Sequence, residues 1–77
     1  MPKIPIIKAK DFLSELLAYG CEIVSVNGSH HKIKNPKNGK TTTIPIHGGK
    51  DLKKGLFPAI LKALNIDVIE FLNFIKK

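Results

Sequence analysis

The chain has 77 residues, 43 % of them hydrophobic and 25 % charged, with a formal net charge of +7. That is the composition of one small folded domain spanning 1–77, with a simple core, and it excludes a disordered or multidomain chain. The 13 basic residues are all lysine and the only cysteine is Cys21, so a polyanionic partner is expected and a disulfide framework or Cys-based zinc site is not.

The first eight residues, MPKIPIIK, read as an extended lead-in because Pro2 and Pro5 disfavour helix. The chain holds no long apolar run and its N-terminus has no small-residue cleavage site, which implies mature protein, no membrane span and a cytoplasmic location by default. From Ala9 to Tyr19, Phe12, Leu13, Leu16 and Leu17 recur at helical spacing, and Gly20 is the stop. Cys21 to Val26 is short and β-branched, so a strand. Asn27-Gly28 is the strongest two-residue hairpin signal, and Ser29 to Asn35 is the returning strand. A loop with a second Asn-Gly pair, Asn38-Gly39, leads to a third strand over Thr41 to Ile46. Pro45 lacks an amide donor, so this strand belongs at a sheet edge or ends there. After His47-Gly48-Gly49 a second helix covers about Gly55 to Leu64, with Pro58 in its first turn, Ile60, Leu61 and Leu64 as its stripe, and Asn65 as a left-handed cap. A last helix starts from Asp67 as N-cap and runs to about Lys76, burying Val68, Phe71, Leu72 and Ile75. The predicted order is α-β-β-β-α with an extra C-terminal helix, an α+β fold whose three-stranded antiparallel sheet carries helices on one face.

The stretch from Gly28 to Pro58 holds all three histidines and seven of the lysines against one acid, Asp51. His30 and His31 are adjacent on a strand, so their rings face opposite sides of the sheet. Histidine is the usual acid–base group near neutral pH, and a metal-independent ribonuclease needs such a group to take the proton of a ribose 2′-OH. A strict Asn27-Gly28 hairpin, however, sets His31 opposite Val24 among apolar neighbours, which favours a structural role for it. Two adjacent histidines and a distant His47 do not make a metal-ligand spacing, so no metal and no cofactor is called for. Lys32 and Lys34 share one strand face and are able to track a phosphate backbone, or serve only as a solvated face. Lys50, Lys53 and Lys54 precede a helix N-terminus, where the helix dipole disfavours cations unless a bound phosphate joins them. Aromatic residues are few and lie mainly in the helices, so a base-stacking platform is not supported.

At GSHHKIKNP and TTTIPIHGGKDLKKG the sequence resembles the HicA toxins of toxin–antitoxin systems, and the resemblance spans nearly the whole chain. It includes helix one ending at Gly20, Gly28-Ser29-His30-His31, Ile44-Pro45-Ile46-His47 and Lys50 to Gly55. It implies a double-stranded-RNA-binding-domain-like fold, an mRNA interferase (an endoribonuclease), and a HicB-type antitoxin as protein partner. It also implies that His31 is the catalytic histidine, with His30 in the variable place beside it as a possible assistant. On that expectation Ser29, Lys32, Lys34, Lys50, Lys53 and Lys54 contact the RNA. Ser25-Val26 and Leu56-Phe57-Pro58 depart from the family pattern of a basic or polar pair and a hydroxyl-bearing helix start. Two rival classes remain open at this point: a non-catalytic nucleic-acid-binding module, and a protein-interaction domain whose lysines meet an acidic partner.

Overall fold

The computed structural model describes residues 4–76. The part of the expected lead-in formed by residues 1–3 lies outside the described residues; from Ile4 to Ile7 the chain carries no helix or strand. Six elements follow: α1 (Ala9–Tyr19), β1 (Glu22–Asn27), β2 (His30–Asn35), β3 (Lys40–Pro45), α2 (Leu56–Ala63) and α3 (Val68–Ile75). The strands form an antiparallel sheet in the order β1-β2-β3. This is the predicted α+β arrangement. No helix among the described residues is long and apolar enough to cross a membrane.

α1 and α2 end where the sequence supplies a residue at positive φ. Gly20, at φ 125°, lets the Cys21 and Gly20 amides donate to the Leu16 and Leu17 carbonyls. Asn65, at φ 57°, repeats the pattern after α2, with the Ile66 and Asn65 amides on the Leu61 and Lys62 carbonyls. Both are the two-bond closure that satisfies orphan helix carbonyls. Asp67 caps α3 by accepting the Glu70 amide at 2.9 Å.

Phe12 of α1, Phe57 of α2 and Phe71 of α3 meet at the centre of the core, each at 1 % exposure or less. Their ring centroids lie 4.9 to 6.0 Å apart in tilted or edge-on geometry, which suits the aromatic quadrupole. Phe57, which the sequence pattern marks only as a helix start, is thus a principal core residue. Val68 and Ile75, expected to be buried, are only partly so. Ile33 and Ile44 supply the sheet's fully buried contribution.

The β1–β2 turn differs from expectation. Gly28 and Ser29 form the two-residue loop, so Asn27 pairs with His30 and Val26 with His31. The expected pairing of His31 with Val24 does not occur. Gly28 is at φ 62° while Ser29 is not at positive φ, the pattern of a hairpin turn with glycine at its first central position. A bulge between Ile23 and Ser25 leaves Val24 out of the ladder.

At the other end of the sheet, Asn35 is buried and its side-chain amide donates to the Leu64 carbonyl at 2.9 Å. The Asn38 amide donates to the same oxygen at 3.1 Å. The β2–β3 turn is therefore bolted to the end of α2. Asn35→Ala is expected to lower unfolding free energy by about 1–3 kcal/mol, read in a denaturant titration, because the Lys37 amide and the Leu64 carbonyl both lose a partner.

Tyr19 donates its hydroxyl to Glu70 Oε1 at 2.6 Å. That bond, with a smaller contribution from burial, pushes the phenol from 10.0 up to about 12. The folded state holds the neutral phenol, so this contribution to stability is complete below pH 10 and is lost as pH rises towards 12. Tyr19 is the only tyrosine and the chain has no tryptophan, so phenolate absorbance reports it alone. Glu70→Gln is expected to bring the titration midpoint back towards 10.

Candidate nucleic-acid interface and histidine site

Strand β2 is central in the sheet, and its alternation sorts the chemistry. His31, Ile33 and Asn35 face the helices, with His31 half-buried and the other two buried. His30, Lys32 and Lys34 lie on the open face beside Ser25, Asn27, Thr41, Thr43 and Pro45. Adjacent histidines therefore occupy opposite faces, as the sequence predicts, and the two rings do not meet.

His31 sits between Val26 and Ile44 in the register. Its Nδ1 lies 3.3 Å from the Ser29 carbonyl oxygen. A carbonyl only accepts, so the contact is a hydrogen bond in the tautomer that carries its proton on Nδ1. A neutral imidazole then keeps its lone pair on Nε2. The same carbonyl accepts the Ile46 amide at 2.7 Å. One oxygen thus fixes the β1–β2 turn to the end of β3 and orients the histidine.

Ile46 begins the cationic loop. The Lys50 amide donates to the His47 carbonyl at 3.0 Å, closing a turn through Gly48 at φ 51°. Residues 50–52 then run antiparallel to 7–9, through Ala9 N–H to Lys50 O at 3.1 Å and Leu52 N–H to Ile7 O at 2.8 Å. Leu52 is buried and anchors the loop, whereas Lys50, Lys53 and Lys54 are exposed. Gly55, before α2, supplies no side-chain cap, and the first turn holds no acid. The helix start therefore has amide donors without a side-chain acceptor, behind a row of lysines.

Pro45, His47, Lys50, Lys53 and Leu56, with Asp51 and Leu52, line a concavity of about 340 Å3. The structure so gathers Ser29, His31 and the Lys50–Lys54 loop towards one end of the sheet, since β2 begins where β3 ends. Lys32 and Lys34 do not line the concavity, and on β2 they lie on the face opposite His31. Two members were not foreseen. Lys8 arrives through the pairing of its segment with Asp51, a long-range contact with no local signature. His47 appears as a rim residue of the concavity. Cys21 is buried, and burial pushes its thiol up, so it is a core side chain and not a nucleophile at neutral pH. Among the described residues no group of three or more His, Cys, Asp or Glu side chains is placed to hold a metal.

A relative in Pseudomonas fluorescens (strain Pf0-1), described as a probable mRNA interferase HicA, is 38 % identical over 60 residues, which cover 78 % of this chain and 97 % of that protein. The family model described as the HicA toxin of bacterial toxin–antitoxin systems matches residues 9–66, from the start of α1 through the β2 histidines and the cationic loop to the end of α2. On that match and that relative, the chain belongs to the HicA toxin family.

Proposed function

We propose that this protein is an mRNA interferase, the RNA-cleaving toxin of a toxin–antitoxin pair, with His31 as its acid–base group. The observation that carries the proposal is the Nδ1 contact of half-buried His31 to the Ser29 carbonyl, the same oxygen that holds Ile46 where the lysine loop departs; with the proton on Nδ1, Nε2 is the basic atom. The name of the Pseudomonas relative supports the same activity. In this scheme Nε2 takes the proton of a ribose 2′-OH. The 2′-oxygen attacks the adjacent phosphorus, the bond to the 5′-oxygen breaks, and that oxygen leaves with the proton returned by the imidazolium. Lys50, Lys53 and Lys54, with the α2 amides, hold the phosphate backbone and offset the charge that grows on phosphorus oxygens. His30, on the opposite face, serves no role at the same phosphate. Lys32 and Lys34 attract RNA without touching the reacting group, and Ser29 acts through its carbonyl. An acidic antitoxin of the HicB type would neutralise the +7 chain by covering the lysine loop.

Purified protein incubated with mixed mRNA in a chelator should cut it, and His31→Ala should not. Equal cutting by both would remove His31 from the chemistry, and RNA binding without cutting by either would leave a binding module.

The lysines should divide by face. Lys53→Ala with Lys54→Ala is expected to lower RNA affinity and to reduce the slope of log K against log salt by about 1.4, two phosphate contacts' worth for a single strand. Lys32→Ala with Lys34→Ala should raise KM and leave kcat within about twofold, as expected of groups that steer substrate without contacting the transition state.

A further inference from the structure

The concavity beside the lysine loop is unlike a plain phosphate track. A backbone contact needs cations and amides only. Here Lys50, Lys53, His47 and the carboxylate Asp51 share the lining with the apolar Pro45, Leu52 and Leu56, two lysines against one acid. Its volume of about 340 Å3 is at the lower end of small-ligand pockets, which start near 300 Å3. The apolar residues form its floor. Leu52 is buried and braces it from below, while Pro45 and Leu56 are only partly buried and keep apolar surface open to a ligand. Pro45 and His47 flank Ile46, whose amide shares the Ser29 carbonyl with His31. The pocket and the histidine are thus tied through a single acceptor.

We infer that this concavity holds one unpaired nucleotide of the RNA, with its phosphate on Lys50 and Lys53 and its base on the Pro45–Leu56 floor under the His47 ring. The proposal rests on the RNA-cleaving function above and adds a base-binding subsite to it: at least one base of the strand is splayed out, which a continuous duplex does not offer. A base still stacked in a duplex does not reach the floor, whereas single strands offer their bases to aromatic and apolar surfaces. His47 is then a substrate-binding residue, held near the reaction end by the turn that closes through Gly48.

Two measurements test this on the full chain. In the first, adenosine 5′-monophosphate and inorganic phosphate are titrated separately into isotope-labelled His31→Ala protein and followed by NMR. The nucleotide is expected to bind at least about tenfold more tightly than phosphate, to move His47 ring and Leu56 methyl signals, and to lose about tenfold in affinity in His47→Ala, the range of one base–aromatic contact. Equal affinity for phosphate and nucleotide, or no response at Leu56 and His47, overturns the pocket and leaves an anion site. In the second, wild-type protein is given one RNA sequence as a single strand and as a duplex. Preferential cutting of the single strand agrees with the pocket. Equal cutting of both overturns it while leaving the RNA-cleaving function standing. No cutting of either, with tight nucleotide binding in the first measurement, overturns the catalytic function and leaves the pocket.

Discussion

Everything chemical in this molecule is sorted by the two-residue period of its central strand. β2 is paired on both sides, so none of its side chains is free to change face without breaking two ladders. Gly28 sets the phase of that period by taking the first central position of the β1–β2 turn. A shift of one residue would send His31 to the open face and Lys32 into the core. The turn therefore determines which histidine is half-buried beside aliphatic neighbours and which faces solvent. The Ser29 carbonyl reinforces this phase, because its bond to the Ile46 amide exists only when the turn ends at Ser29.

The architecture was legible in the sequence because it rests on local signals. Gly20, Asn65 and Asp67 act as caps by their own backbone and side-chain chemistry, and the stripes Phe12/Leu16 and Ile60/Leu61 need no partner to be recognised. The turn register was not legible. Asn27-Gly28 and Gly28-Ser29 are both acceptable hairpin pairs, and the choice depends on burying Ile33 and Asn35 against helices that lie far away in the chain. Phe57 was missed for a related reason: the departure from a hydroxyl-bearing helix start reads as a lost cap, while its burial comes from two rings on other helices. Lys8 and the loop at Asp51 meet through backbone bonds that no local pattern encodes. The site was legible in its parts, as histidine and lysines, and in the alternation that parts Lys32 and Lys34 from His31, but not in the pairing that brings Lys8 to the loop.

The two ends of the sheet are built differently. Around Asn35, side-chain amides bind a helix carbonyl, and the turn is specified by named side chains. Around His31, the turn, the loop and the lead-in are joined almost wholly by backbone bonds, which leaves the side chains of the loop exposed. One end holds the layers together through side chains. The other leaves its lysines exposed and its histidine half-buried.

The bulge at Val24 bears on how the protein behaves towards copies of itself. β1 lies on the sheet's edge with every residue exposed, including the aliphatic Ile23, Val24 and Val26. A regular edge of that kind invites another strand to pair with it and grow into a stack. The extra residue breaks the even spacing of amides and carbonyls, so a second copy finds no uninterrupted ladder. Mutual repulsion between +7 chains adds a longer-range barrier, but one that salt screens beyond about 8 Å at physiological ionic strength. Crowded, salty conditions leave the kinked backbone as the remaining safeguard of colloidal stability.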